Sequence, residues 1–266
     1  MDFIREYYFD FSVMGDNFGA VLDGFFITLK LSLIAGVLSL AWGLVLAVLR
    51  QLPGKATAPI RWLTIAYIDI FRGVPLLLVL FLTSGFLSAA QAEGVIPRSI
   101  GLPEWFGQTS PFWYGVIALT LTYGAYMAEV YRAGIEAVPR GQTEAARSLG
   151  MSHGQAMRFI IVPQAVRKVV PPLLNDFIAL MKDTSLVSVI GALEVVQAGF
   201  DIQTAEFNGS GLVLGALFFL AVTIPLARLI DYLIARGQAK TQRSGAAEDG
   251  DGAEPAGPPA TGMAGA

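Results

Sequence analysis

The sequence predicts an all-α membrane protein, a polytopic helical bundle with five transmembrane helices. The chain of 266 residues is 54% hydrophobic and only 15% charged, whereas soluble domains carry about 25% charged residues. Four stretches of 19 to 24 residues contain no Asp, Glu, Lys or Arg, and about 20 apolar residues are enough to cross a bilayer. A fifth, more polar stretch completes the bundle because the basic residues then fall mostly on one side.

The composition also excludes several classes of function. The chain has no cysteine and one histidine, so we expect no disulfide, no iron–sulfur centre and no Cys- or His-based metal site. A net charge of −3 argues against a nucleic-acid binder, because such proteins are usually basic. We expect neither a cofactor nor a catalytic cluster.

The chain divides into an N-terminal segment, a membrane domain and a tail. Residues 1–19 begin "MDFIREYYFD", which is acidic and aromatic and lacks the basic start of a cleavable signal peptide. The membrane domain covers 20–235, with spans at about 24–49, 65–91, 111–131, 172–193 and 208–234. Residues 244–266 are rich in Gly, Ala, Pro and acids without an apolar period, which predicts a disordered tail.

Charged residues interrupt the second span and end the third. Arg72, Gly73 and Pro75 predict a break in span two, with a structural role and with Asp69 as an i, i+3 partner for Arg72. Glu129 and Arg132 form another i, i+3 pair near the end of span three. A third pair, Glu136 with Arg140, has i, i+4 spacing, and we expect these later pairs to orient the following loop.

The fourth span is the polar one. It follows Pro171-Pro172, which suit the first turn of a helix, and it contains Asp176, Lys182 and Asp183. One such charge at the bilayer centre costs about 2.5–3.5 kcal/mol on insertion scales. A span whose polar side faces protein or water therefore fits better than a lipid-facing one, and a buried helix of a soluble domain is the alternative.

The polar residues of this span are candidates for a substrate pathway. Asp176 and Asp183 are seven residues apart and share a helix face, while Lys182 points elsewhere. The candidate set is Asn175, Asp176, Lys182, Asp183, Thr184 and Ser185. Two roles remain open with equal weight: these groups contact substrate, or they brace the bundle by pairing, for example Lys182 with Glu129 or Asp69.

The charge distribution predicts the topology. With five spans, 13 of the 18 basic residues lie on one side, in the 50–61, 132–168 and 228–243 segments. Only Arg5, Lys30 and Arg98 lie on the other side. The excess of basic residues marks the cytoplasmic side, so we expect the N-terminus outside and the C-terminus in the cytoplasm.

The longest loop on that side, 129–170, has helical structure of its own. Residues 142–149 are good helix formers, and Gly150 follows where a helix C-cap needs a left-handed residue. Ser152 is the predicted N-cap of a second helix, 152–161, and Pro163 marks its end or a kink. The alternative is a solvated, basic loop that only fixes the topology.

Several motifs in this order resemble one family. "EAARSLGMSHGQAMRFIIVPQA" (144–165) looks like the EAA loop of the permeases of binding-protein-dependent ABC importers. "YIDIFRGVPLLL" (67–78), "AYMAEVYRAGIEAVPRGQTEAA" (125–146) and "PPLLNDFIALMKDTSLVSVI" (171–190) resemble the polar amino-acid uptake subfamily, which carries His, Arg, Gln, Glu and similar substrates. The resemblance covers about 20–235 and implies a type I ABC importer permease fold.

The resemblance also implies partners and a location. Such permeases lie in the bacterial inner membrane, pair as homo- or heterodimers, receive substrate from an extracytoplasmic solute-binding protein and dock two ABC ATPase subunits. The EAA loop, here 140–165, enters an ATPase groove as the coupling helix. The coupling residues implied here are Glu144, Ala145, Ala146, Arg147, Gly150 and Arg158, with Pro163 structural. The chain lacks a G-x-x-x-x-G-K-[ST] motif, so we expect a transport subunit and not the ATPase itself.

A different class of function is a stand-alone, ion-coupled secondary transporter or channel for small polar solutes, with Asp176, Lys182 and Asp183 as an ion relay. Five spans without a detected inverted repeat are unusual for such a carrier. The structured 129–170 loop would also have no role in it.

Overall fold

The computed structural model describes residues 2–96 and 107–251, with side chains as far as Arg236. All regular elements within these residues are helical. They are α1 (Asp2–Tyr8), α2 (Phe11–Asp16), α3 (Phe18–Arg50), α4 (Ala58–Gly73), α5 (Leu76–Ala92), α6 (Ser110–Glu136), α7 (Arg140–Ser148), α8 (His153–Ala156), α9 (Val162–Asp183), α10 (Val195–Glu206) and α11 (Ser210–Asp251).

The centre of the bundle is α6, which packs along α3 and is covered by α4, α5 and α9. Small residues allow α3 and α6 to approach closely. A Cβ atom on Gly43 of α3 would lie 2.8 Å from the Cβ of Met127 and 2.9 Å from the carbonyl oxygen of Gly124. Close backbone contact through glycines is typical of helix pairs in membranes. A second core joins α3, α10 and α11 around Val21, Phe25 and Val195.

Two helices are individually long and apolar enough to cross a membrane, namely α3 and the Ser210–Arg236 part of α11. Two bent pairs meet the same criterion when each is taken together: α4 with α5, bent by 111°, and His153–Ile190 with α10, bent by 49°. The described residues therefore supply between two and four such spans. The third predicted span, 111–131, corresponds to α6, which is not among the helices that meet this criterion.

The second span is two helices rather than one. The bend between α4 and α5 lies at Val74, which is extended (φ −90°, ψ 131°), and at Pro75, which caps α5. Pro75 has no N–H and restricts the residue before it to extended conformations. Arg72 and Gly73 form the last turn of α4, so they lie directly beside the bend.

Pro171 and Pro172, predicted to begin a helix, and Pro163, predicted to mark a helix end or a kink, all lie in one continuous helical run. Residues 157–161 form a π-helical turn between α8 and α9, and Pro163 falls in the first turn of α9. Pro171 and Pro172 are interior to α9 and do not begin it. The carbonyls that would bond to their missing N–H groups belong to Arg167 and Lys168, at exposed positions, which lowers the cost of the lost bonds.

The end of the fourth span and the following segment also differ from the prediction. Residues Thr184–Ile190 form a tighter 3₁₀ helix, and Gly191 ends it with a φ of 90°. The segment after it, expected as a loop, contains α10. Finally, α11 continues to Asp251, into the first residues of the 244–266 segment expected to be disordered; residues 252–266 lie outside the described residues.

The N-terminal segment is attached to the turn between α10 and α11. The N–H of Gly209 donates to the carbonyl of Tyr7 at 2.8 Å, and the side-chain amide of Asn208 donates to the carbonyl of Glu6 at 2.9 Å. The N–H of Asp10 donates to the Ser210 hydroxyl at 2.9 Å. Helices α1 and α2 thus pack on the same end of the bundle as this turn.

Candidate functional site

A cavity of about 440 Å³ lies where the α4–α5 bend, α6 and α9 meet, and we call it the α6 cavity. The α4–α5 bend contributes its backbone and the Arg72 side chain to the lining of the cavity. Its walls are residues 72–76, then Thr122, Tyr123 and Tyr126 of α6, and Asp176, Ala179 and Asp183 of α9. It is a mixed polar and aromatic space in an otherwise apolar bundle, as expected of a pathway for a small polar solute.

Two carboxylates face this cavity from one side of α9, as their seven-residue spacing predicts. Asp183 is held by the Tyr123 hydroxyl, which donates to its Oδ2 at 2.8 Å. Asp176 is different, because its Oδ2 is buried and has no hydrogen-bond partner among the described residues. An unpaired buried carboxylate oxygen is costly, so this group is available to accept a hydrogen bond from a ligand or a water molecule.

The other four predicted pathway residues do not join these two aspartates. Lys182 and Ser185 line a separate cavity of about 430 Å³ against α10 and α11, which is otherwise apolar. Asn175 is exposed on another face of α9. Thr184 is fully buried, and its hydroxyl donates to the carbonyl of Met181 at 2.7 Å. The polar residues of this span therefore lie in four different environments.

Sequence reasoning missed the α6 side of the cavity. Tyr123 and Tyr126 sit one turn apart, with ring centroids separated by 6.0 Å. The Tyr126 hydroxyl donates to the carbonyl of Arg72 at 3.4 Å, and the Arg72 guanidinium lies 5.7 Å from the centre of the Tyr126 ring. The available signal was the three-residue spacing of Tyr123, Tyr126 and Glu129, which places these side chains on one helix face.

Below the cavity, Glu129 is the centre of an ion cluster. Arg50, at the end of α3, forms an ion pair with its Oε1. Arg132 lies 2.8 Å from its Oε2, and Arg72 lies 3.8 Å from its Oε1. Arg132 also pairs with Glu136 at 2.5 Å. The ion cluster, defined as these five residues, joins the end of α3, the α4–α5 bend and the last turns of α6.

Sequence spacing predicts three ion pairs in this region. One of them forms, and in the other two a residue has a different partner. The Glu129–Arg132 pair forms as predicted. Among the described side chains, Asp69 makes no ion pair with Arg72, because Arg72 turns toward α6 instead. Glu136 pairs with Arg132 and not with Arg140, since Val138 and Pro139 end the α6 region before Arg140 begins α7. No ion pair joins Lys182 to Glu129 or Asp69 within this part of the chain.

Residues 140–165 form a compact projection, which we call the knob. The predicted reversal is present: Gly150 follows α7 with a φ of 81°. The predicted N-cap is also present, because the Ser152 hydroxyl accepts from the N–H of Gln155 at 3.2 Å and the Gln155 side chain accepts from the N–H of Ser152 at 2.8 Å. Such a reciprocal capping box fixes the start of the second helix.

The outer surface of the knob carries most of the predicted coupling residues. Glu144, Ala145, Arg147 and Arg158 are exposed, whereas Ala146 is buried inside the knob. The buried Ala146 therefore allows α7 to pack closely against the following helix, and only Ala145 offers a small contact on the outside. Leu149, which the motif analysis did not single out, is 84% exposed at the tip.

Comparisons with known proteins find relatives along most of the chain. A family model described as "Binding-protein-dependent transport system inner membrane component" matches residues 39–238. The chain is 38% identical over 226 residues to the probable glutamine ABC transporter permease protein GlnM of Bacillus subtilis (strain 168), covering 85% of this chain and 96% of that protein. It is 35% identical over 236 residues to the glutamate/aspartate import permease protein GltK of Escherichia coli O6:H1, covering 86% and 99%.

The solved structures agree with the sequence comparisons. A chain of a crystal structure of an amino acid ABC transporter with histidines superposes with a TM-score of 0.74 at 32% identity, covering 85% of this chain and 98% of that one. The helical bundle thus has the type I ABC importer permease fold, and proteins of this kind are transport components rather than enzymes. The chain belongs to the family of binding-protein-dependent transport system inner membrane components.

Proposed function

We propose that this chain is the permease subunit of an ABC importer that moves a polar amino acid into the cytoplasm. A second permease, two ATPase subunits that hydrolyse ATP and an extracytoplasmic solute-binding protein complete the transporter. The α6 cavity carries the proposal, because it places two carboxylates and one guanidinium around a space large enough for an amino acid. The relatives' names, glutamine permease and glutamate/aspartate permease, support the same substrate class.

The charges of the α6 cavity match the backbone groups of an amino acid. The unpartnered Oδ2 of Asp176 can accept from an ammonium group, with Asp183 close by on the same face. Arg72, at the opening, can donate to a carboxylate, since a guanidinium fits that group with two parallel hydrogen bonds. In this proposal, Asp176 and Asp183 contact the substrate, while Asn175, Lys182, Thr184 and Ser185 do not.

The knob is the proposed contact with the ATPase subunits. Glu144, Ala145, Arg147 and Arg158 form its exposed rim, and Gly150 and Pro163 shape it. When ATP closes the ATPase dimer, the knob moves and carries α6 and α9 with it, because both helices run directly into it. This transmits the closure to the α6 cavity as a rigid-body motion.

The proposed membrane arrangement has five spans, with the N-terminus outside and the C-terminus and knob in the cytoplasm. In it, α3, α6 and α11 each cross once, and the two bent pairs supply the other crossings. The excess of basic residues on the knob side supports this orientation. The attachment of α1 to the α10–α11 turn is consistent with it, because both then lie on the outer side.

Competition for uptake tests the substrate class. We expect a labelled glutamine or glutamate to enter proteoliposomes that contain the assembled transporter, and other polar amino acids to compete with it. Sugars and small peptides should not compete. Transport of a solute that lacks either the ammonium or the carboxylate, at the same rate as the amino acid, would contradict the proposal.

Cysteine labelling tests the orientation, because the natural chain contains no cysteine. The exposed Ser12 of α2 and Ser148 of α7 offer matched positions. In intact cells, a membrane-impermeant maleimide should label the Ser12→Cys variant and should label the Ser148→Cys variant only after permeabilisation. The opposite pattern would reverse the topology.

A further inference from the structure

Arg72 touches both parts of the proposed machinery. It lines the α6 cavity, and within the described residues it is the only cationic side chain that does so. It also lies 3.8 Å from Glu129, the centre of the ion cluster. Its guanidinium rests over the Tyr126 ring, which separates these two environments on α6.

The Arg72–Glu129 contact is the weakest of the cluster. At 3.8 Å it is too long for a hydrogen bond, whereas Arg132 bonds the same carboxylate at 2.8 Å and Arg50 is also in direct contact. The Arg72 side chain is 41% exposed, more than those of Arg50 at 22% and Arg132 at 32%. Arg72 can therefore leave Glu129 while the other two arginines still neutralise it.

We propose that Arg72 contacts the bound substrate and couples occupancy of the α6 cavity to the ion cluster and hence to the knob. The carboxylate of a bound amino acid competes with Glu129 for the Arg72 guanidinium. When substrate is bound, Arg72 turns into the cavity, and Glu129 is left with Arg50 and Arg132 alone. This inference rests on the proposed function, because it requires an amino acid in the cavity.

The path from Arg72 to the knob runs along one face of α6. Tyr123, Tyr126, Glu129, Arg132 and Glu136 follow one another at intervals of three or four residues, so they lie on one side of that helix. Four residues after Glu136 the first helix of the knob begins. A change in the pairing of Glu129 therefore acts at the base of the knob, and it acts on the end of α3 through Arg50.

The experiment compares two variants in the complete transporter, reconstituted with its ATPase subunits. The variant Arg72→Gln removes the proposed link. The matched control, Lys182→Gln, removes a cation of α9 that lines the separate cavity against α10 and α11 and does not line the α6 cavity. For each, the ATPase rate is measured without binding protein and with binding protein loaded with glutamine or glutamate.

We expect Arg72→Gln to reduce the stimulation of ATPase activity by loaded binding protein, taken as the ratio of the stimulated to the unstimulated rate, about fivefold or more, the lower range of allosteric couplings. Lys182→Gln should keep the stimulation ratio near that of the wild type. Arg72→Lys should restore part of the stimulation, because it keeps the charge without the bidentate geometry.

Two results would overturn the inference. Full stimulation in Arg72→Gln would show that the residue carries no signal, and equal losses in Arg72→Gln and Lys182→Gln would show that the loss of any cation in this part of the bundle lowers the stimulation. A wild-type transporter that no amino-acid-loaded binding protein stimulates would instead contradict the proposed function. Co-purification of the ATPase subunits with the permease shows that each variant is assembled.

Discussion

At the scale of single residues, two glutamates of the bundle are stabilised in different ways. Glu129 is surrounded by cations, so each charge there has a partner. Glu194 is fully buried, and among the described side chains its partners are hydrogen-bond donors rather than cations. Its Oε1 accepts from the N–H groups of Val196 and Gln197 at 2.9 and 3.0 Å, and its Oε2 accepts from the Thr28 hydroxyl at 3.3 Å. Glu194 therefore caps α10 and fastens it to α3.

Removal of this cap should destabilise the protein. We expect Glu194→Ala to cost about 1–3 kcal/mol, because it leaves buried N–H donors without an acceptor. Glu194→Gln should cost less, since the amide keeps one acceptor oxygen. Thermal melting of the purified permease in detergent measures both effects as a fall in Tm. Glu206→Ala, at the exposed end of α10, is the matched control, and an equal fall in Tm for Glu206→Ala and Glu194→Ala would contradict the capping role.

The residues that sequence analysis identified differ from those it missed in one physical respect. Gly150 and Ser152 act through their own backbone and nearest neighbours, so their roles follow from local spacing. The predicted partner of Arg72 was Asp69, three positions away, but the contacts of Arg72 come from α6. Contacts across helices depend on how the helices are rotated in the bundle, and a single sequence does not specify that rotation.

At the scale of elements, the knob is the part whose shape depends most on the backbone conformation of one residue. Gly150 has a φ of 81°, which side-chain-bearing residues rarely adopt, and its N–H donates to the carbonyl of Arg147 at 3.0 Å. The chain reverses there between α7 and the capped second helix. The direction in which the knob presents Glu144 and Leu149 follows from that reversal.

A change at the reversal should uncouple ATP hydrolysis from transport. In Gly150→Pro, both the positive φ and the hydrogen bond are lost, and we expect the amino acid transported per ATP hydrolysed to fall about fivefold or more. Glu144→Lys should act in the same direction by reversing a charge on the exposed rim. Gly141→Ala, at an α7 position with open space around it, is the control. Parallel measurements of uptake and ATPase activity that show unchanged coupling in both altered variants would exclude the knob as the ATPase contact.

Helix boundaries set by proline were the least predictable elements. Pro163, Pro171 and Pro172 suggested two helix boundaries, yet a helical run continues from His153 to Ile190. A π-helical turn precedes Pro163, and the residues whose carbonyls lose a partner at Pro171 and Pro172, Arg167 and Lys168, are exposed. Helix α10 was missed because it is only twelve residues long and only moderately apolar. In addition, its N-cap is a glutamate rather than one of the usual small capping residues.

At the scale of the whole molecule, the sequence already indicates the fold class and the family, because long apolar runs and ordered motifs depend little on tertiary detail. The structure adds the α6 cavity between the α4–α5 bend and α9. The bend brings Arg72 to the aspartates of α9, which are more than a hundred residues away in the chain. Helix α6 in turn connects that cavity to the knob.

The C-terminal tail should be dispensable for transport. Residues 244–266 have no apolar periodicity, so they offer little surface to bury against the bundle. We expect a chain that ends at Arg243 to insert and to transport at the wild-type rate, and the milder removal of 252–266 to do the same. Uptake per inserted protein is the measurement, and a large loss in the longer deletion alone would assign a role to the last turns of α11.

The source of energy distinguishes this account most directly from a stand-alone carrier. The decisive measurement is uptake of a labelled polar amino acid into proteoliposomes with ATP inside or absent, binding protein outside or absent, and an ion gradient present or collapsed. The account predicts uptake only when internal ATP, the ATPase subunits and external binding protein are all present, whatever the ion gradient. Full uptake by this chain alone, driven by an ion gradient, would contradict it.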